Sequence, residues 1–143
     1  MIRGVVTGLL AGCVTLVLGQ SAVEAKQYRV TVSTGTAELG GTDADVYITL
    51  YGNLGNSSEM ELDNGENNFE RGNQDAFVVD AQNLGKLKQV RIRHNNRGFG
   101  PGWFLDKVVV EDLDSGARWT FPCNGWLALD ESPRKLDRVL PAR

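Results

Sequence analysis

The sequence predicts an all-β fold, an eight-stranded antiparallel β-sandwich, and three observations carry that prediction. Apolar residues alternate with polar ones at a period of two, turn-forming residues fall between the alternating runs, and no stretch of helical length has a period near 3.6. Short half-buried strands joined by tight turns are what two packed antiparallel sheets require.

Tyr28, Val30 and Val32 alternate with Arg29, Thr31 and Ser33, and Val46, Ile48 and Leu50 alternate with Tyr47, Thr49 and Tyr51. Further strands are predicted over Glu59–Leu62, Ala76–Asp80, Leu87–His94, Trp103–Asp112, Arg118–Pro122 and Leu136–Leu140. Trp103, Phe104 and Leu105 are assigned to the core, because they open a run that continues to Val110. Gly35, Gly40-Gly41, Gly52-Asn53, Asn64-Gly65, Gly72-Asn73, Gly98–Gly102 and Ser115-Gly116 separate the runs where turns are needed. The charged tail from Asp130 to Arg143 is expected to add a closing edge strand and then fray.

At 143 residues and 41% hydrophobic content the chain is sized for one soluble domain. A net charge of -3 and a pI near 5.1 argue against nucleic acid as a partner. Met1-Ile2-Arg3 followed by an apolar run from Gly4 to Gly19 reads as a secretory signal peptide, with Val23 and Ala25 placing the cut after Ala25. That leaves residues 26–143 as the single domain, secreted or periplasmic. Leu10-Ala11-Gly12-Cys13 also matches lipoprotein processing, but the apolar run from Val14 to Leu18 fits a leader better than a lipid tether. With Cys13 removed, Cys123 has no partner for an internal disulfide.

Material for catalysis is thin. His94 is the one histidine and reads as structural, Cys123 sits beside Phe121 and Pro122 as an inert thiol, and Gly98–Gly102 precedes a strand rather than a phosphate-binding helix. No catalytic residues are assigned, and the chain is expected not to be an enzyme. Oxygen donors, by contrast, cluster between the runs: Thr42, Asp43 and Asp45; Asp63, Asn64, Glu66, Asn67, Asn68 and Glu70; Asn95 and Asn96. Such a mixture suits Ca²⁺, which takes six to eight oxygens. The same residues also form turns, and both readings stand.

Several segments together resemble one family. They are Thr34-Gly35, Gly40-Gly41-Thr42-Asp43-Ala44-Asp45-Val46-Tyr47, Phe69-Glu70-Arg71-Gly72, Leu84-Gly85, Ile92-Arg93-His94-Asn95-Asn96, Pro101-Gly102-Trp103-Phe104-Leu105-Asp106, and Phe121-Pro122-Cys123 with Trp126. In this order they resemble the PLAT, or lipoxygenase homology, domain across essentially the whole of residues 26–143.

The resemblance implies two four-stranded sheets and a non-catalytic module of the kind found beside lipoxygenase, lipase and clostridial phospholipase domains and in polycystins. It further implies Ca²⁺-assisted docking to lipid or to a membrane-associated protein, with a metal-independent protein-interaction domain as the alternative. Carried over by position, Gly40, Gly41, Thr42 and Asp43 belong to one calcium loop, and Asn67, Asn68 and Glu70 close a second. Asn95 stands where many members have Asp, which removes a charge from the first site. Leu39, Phe99 and Trp126 correspond to lipid- or partner-binding tips, although Glu38 at the first tip is acidic. A monomer is expected.

Overall fold

The computed structural model describes residues 25–143, so the predicted leader up to Glu24, Cys13 included, lies outside the described residues. Nine strands form: β1 (Ala25–Thr34), β2 (Val46–Gly52), β3 (Gly55–Asn56), β4 (Met60–Glu61), β5 (Gln74–Gln82), β6 (Leu87–His94), β7 (Trp103–Asp112), β8 (Arg118–Leu127) and β9 (Asp137–Pro141). The first sheet runs β5-β1-β7-β8 and the second β3-β2-β6-β9, with β4 also paired to β2. Every assigned pairing is antiparallel.

All eight predicted runs hold strands. The ninth arises because β3 pairs with Tyr51 and Gly52 while β4 pairs with Tyr47 and Ile48, so two two-residue pieces share one edge of β2. Ser57 lies between them, and its hydroxyl accepts the Leu50 N–H at 2.9 Å while the Ser57 N–H donates to Leu50 O at 2.8 Å. β8 runs five residues beyond its predicted end. Across it, Leu105 faces Gly125 and Lys107 faces Pro122, so Cys123 and Asn124 together oppose Asp106 in a bulge where Asn124 has φ 50°.

The inward faces interdigitate as one core that includes Tyr28, Val30 and Val32 from β1, Ile48 and Leu50 from β2, Val90 and Ile92 from β6, and Trp103, Leu105 and Val108 from β7. Each such side chain contributes about 1.5–3 kcal/mol by leaving water. The polar tips are also satisfied. Trp103 Nε1 donates to Thr34 Oγ1 at 2.9 Å, and the Tyr28 hydroxyl donates to Gln82 O while accepting the Leu84 N–H.

Two expectations are corrected. Phe104 is half-buried on the opposite face from Trp103 and Leu105, as the strand period demands, and packs edge-on against Trp126 at 5.3 Å. The tail does not fray after β9, because the Ala142 N–H donates to Lys88 O and the Arg143 N–H to Thr120 O. The first bond continues the β6–β9 ladder, and the second reaches Thr120 on β8 and so ties the two sheets together.

Candidate functional site

Four connections meet at one end of the sandwich: residues 35–45 after β1, 62–73 after β4, 95–102 after β6 and 128–136 after β8. Backbone and hydroxyl groups lock them to each other. Gly40 O accepts the Phe104 N–H at 2.8 Å, and the Thr42 N–H donates to Phe69 O at 3.0 Å. The buried Thr42 hydroxyl donates to Pro101 O at 2.6 Å and accepts the Ala44 N–H at 3.1 Å. At Gly41 a Cβ atom would lie 3.0 Å from both Phe69 O and Arg71 N, so any side chain here presses on the neighbouring loop and glycine suits the close approach.

Asn95 clamps the neighbouring turn. Its amide donates to Asp45 Oδ2 at 2.9 Å and its Oδ1 accepts the Asp45 and Arg97 N–H groups. His94 is buried directly behind. Its Nδ1 accepts the Asn96 N–H at 3.0 Å, which makes Nε2 the protonated nitrogen, donating to Leu127 O at 2.7 Å. Burial pushes its pKa below 6.5, and the bond to Leu127 opposes that shift only in part. His94 is thus a neutral tie between β6 and β8.

Two concavities occupy this end. A small polar cavity of about 160 Å³ is lined by Thr42, Asp43, Asp45, Glu61, Asp63, Glu66, Asn67 and Asn68, among others. Asn68 Oδ1 is buried without a hydrogen-bond donor. Beside it, an open groove of about 680 Å³ is lined by Glu38, Leu39, Gly41, Asp43, Glu70, Arg71, Phe99, Trp126, Asp130 and Glu131, with Thr42 and two glycines. Thr42 and Asp43 belong to both walls.

The candidate residues therefore divide. Thr42, Asp43, Asn67 and Asn68 meet in the cavity, whereas Gly41, Glu70, Leu39, Phe99 and Trp126 meet along the groove. Gly40 and Asn95 line neither, and their polar groups are engaged in holding the loops. Glu61, Asp130 and Glu131 join these walls from outside the oxygen-rich loops, Glu61 from a predicted strand and the other two from the tail, far away in sequence. Leu39 is 85% exposed with φ 59°, and Phe99 is 95% exposed between two glycines of positive φ.

Charge is distributed unevenly. Away from this end several carboxylates are paired: Lys26 with Asp112 at 2.8 Å, Arg29 with Glu111 at 2.9 Å, and Glu59 with Arg91 and Arg93. The hydrogen bond from Arg93 holds Glu59 below its ordinary range. Cavity and groove each present five carboxylates, Asp43 being common to both, and among the described residues none of them has an ion-pair partner. Nor, among the described residues, do three His, Cys, Asp or Glu side chains converge as a metal-holding group. The donors surround the cavity without meeting at a point. Cys123 lies outside both concavities, its thiol pushed up by burial.

The comparisons agree with this architecture. A family model described as the PLAT/LH2 domain matches residues 28–141. Human lipoxygenase homology domain-containing protein 1 is 45% identical over 112 residues, covering 78% of this chain and 5% of the relative. Mouse polycystin-1-like protein 3 is 38% identical over 128 residues, covering 88% of this chain and 6% of the relative. The chain thus spans a small fraction of these curated relatives. A coral 8R-lipoxygenase, described as activated by calcium via a C2-like domain, superposes with a TM-score of 0.72 at 28% identity, covering 81% of this chain and 17% of that one.

Proposed function

The chain belongs to the PLAT/LH2 domain family, and from that premise we propose that it is an exported, non-catalytic module whose loop end docks to a membrane surface with the help of Ca²⁺. The observation that carries the reading is the adjacency of an oxygen-lined cavity to a groove with exposed apolar tips, the two sharing Asp43.

The donor set fits the ion. Carboxylate and amide oxygens are the hard ligands Ca²⁺ takes, and the undonated, buried Asn68 Oδ1 is an acceptor that a cation would satisfy. Asp43, Asp45, Glu61, Asp63 and Glu66 would supply charge, with Asn67 and Asn68 supplying neutral oxygens. When bound, the ion would reduce the negative field at this end and bridge to headgroup oxygens. Phe99 and Leu39 would then enter the interfacial layer, where aromatic and aliphatic tips gain from burial. The coral lipoxygenase's described calcium activation supports the same direction. Export rests on the predicted signal peptide, residues 1–25.

Co-sedimentation of the protein with phosphatidylglycerol vesicles, in Ca²⁺ and in chelator, tests the reading. Ca²⁺-dependent pelleting that is lost in Asp43→Asn and Phe99→Ala supports it, and absence of pelleting in both Ca²⁺ and chelator overturns it. A second reading, metal-independent docking to a protein, draws on the lack of a converged carboxylate triad among the described residues. Partner binding that is indifferent to chelator would favour it.

A further inference from the structure

Asp43, with Thr42, forms the common wall of two differently built concavities, one lined mainly by oxygen donors and one with apolar tips. This sharing bears on what the groove can hold in the absence of metal. Its rim carries Glu38, Asp43, Glu70, Asp130 and Glu131 against the single guanidinium of Arg71, whose Nε is engaged with Thr36 O at 2.9 Å. Arg97 sits on the same loop as Phe99 but outside the lining.

An anionic bilayer would be repelled by such a rim, and a neutral apolar ligand would leave its carboxylates unanswered. A ligand with cationic groups spaced between apolar ones answers both features: ammonium or guanidinium groups at the carboxylates, apolar side chains against Leu39, Phe99 and Trp126. Elsewhere Glu59, Glu111, Asp112 and Asp137 are already paired with lysine or arginine.

We propose that the groove, free of Ca²⁺, docks a basic segment of a partner protein in which lysine or arginine alternates with apolar residues, and that Ca²⁺ at the adjoining cavity releases it by neutralising Asp43 and its neighbours. This rests on the Ca²⁺-docking function proposed above and adds partner exchange to it: a basic protein segment without the ion, a membrane with it. The exchange follows from the wall the two sites share. One carboxylate cannot fully serve both cations, so each ligand weakens the other by the same factor.

Calorimetry with a short synthetic peptide alternating lysine and leucine around one phenylalanine tests this in chelator and in Ca²⁺. An all-lysine peptide and phosphatidylcholine vesicles serve as competitors. The expected result is binding in chelator that falls about tenfold on adding Ca²⁺, with a loss of similar size in Phe99→Ala or Glu131→Lys. Both positions are exposed, so folding is retained and is checked by thermal melting.

Equal binding of the all-lysine peptide would reduce the effect to general charge attraction and overturn the proposal. Displacement by phosphatidylcholine vesicles in chelator would make lipid the occupant and overturn it too, as would peptide binding unaffected by Ca²⁺ or no peptide binding at all. If vesicles pellet with Ca²⁺ while the peptide fails, the inference falls and the docking function stands. If vesicles fail while the peptide binds in chelator and is released by Ca²⁺, the membrane reading falls alone.

Discussion

Asn95 and Asp45 hold one another across the mouth of the β6–β7 connection, the Asn95 amide donating to Asp45 Oδ2 at 2.9 Å while its Oδ1 accepts the Asp45 N–H at 3.1 Å. An aspartate at position 95 could accept but not donate, and it would set two carboxylates face to face. Asn95→Asp is therefore expected to lower stability in chelator by about 1–2 kcal/mol. Ca²⁺ should restore part of the loss. Denaturant titrations with and without the ion check this, and an unchanged midpoint in chelator would show that the clamp is energetically idle.

The cavity predicts a metal-linked stability. Added Ca²⁺ should raise the melting temperature, with about 2.7 kcal/mol of stabilisation at one hundred times Kd. Asp43→Asn and Glu61→Gln should each reduce the shift, because both carboxylates line the cavity. Calcium titrations followed by calorimetric melting measure it. A shift equal in wild type and both variants would place the ion elsewhere.

Gly41 and Phe99 should separate folding from docking. Gly41→Ala pushes a Cβ to 3.0 Å from backbone atoms of Phe69 and Arg71, so it is expected to cost about 1–3 kcal/mol as the loops are forced apart. Phe99→Ala removes a ring that is 95% exposed and should leave the melting temperature within the noise while abolishing vesicle pelleting. Melting and sedimentation of the two variants in parallel would reveal any overlap of roles.

His94 gives stability a pH dependence of known sign. Burial lowers its folded-state pKa beneath the unfolded value of 6.5, so within that window the unfolded chain binds the extra proton. Stability is full above about pH 6.5 and declines as pH falls, by at most about 1.4 kcal/mol per pH unit until the folded-state value is reached. Urea midpoints for wild type and His94→Gln across pH 5–8 test this, the variant being less stable but flatter. A wild-type profile level across that range would refute the buried neutral ring.

At lower pH, protonation of paired carboxylates removes stability in turn. Burial pushes Asp112 upward, but hydrogen bonds from Lys26 and the N–H groups of Asp114 and Ser115 together hold it below its ordinary 3.8. Its contribution is present above that value and is lost as pH falls through the lower folded-state one. Lys26→Met should flatten this acid limb of the unfolding curve.

Strand positions were readable from local alternation because the facing of a strand residue depends only on its neighbours' parity. Tyr28, Val30, Ile48 and Leu50 turn inward as their spacing requires. Phe104 shows the limit of assigning a whole run to the core, since the parity that turns Trp103 and Leu105 inward places it on the opposite face. The two-residue pieces β3 and β4 were harder to read, because edge pairing depends on the strand already beside it.

Glycines, acids and exposed tips were visible as loop residues, yet their grouping was not. Glu61 reaches the cavity from β4 and Glu131 reaches the groove from the β8–β9 connection, joined to Asp43 by sheet order rather than by closeness in the chain. Glu70 and Asn68, two residues apart, line different concavities, while Thr42 and Asp43 line both. Alternation along one segment sets which face each side chain takes; the assembly of distant loops against a shared core sets which carboxylates stand together, and charge interactions depend on that distance in space.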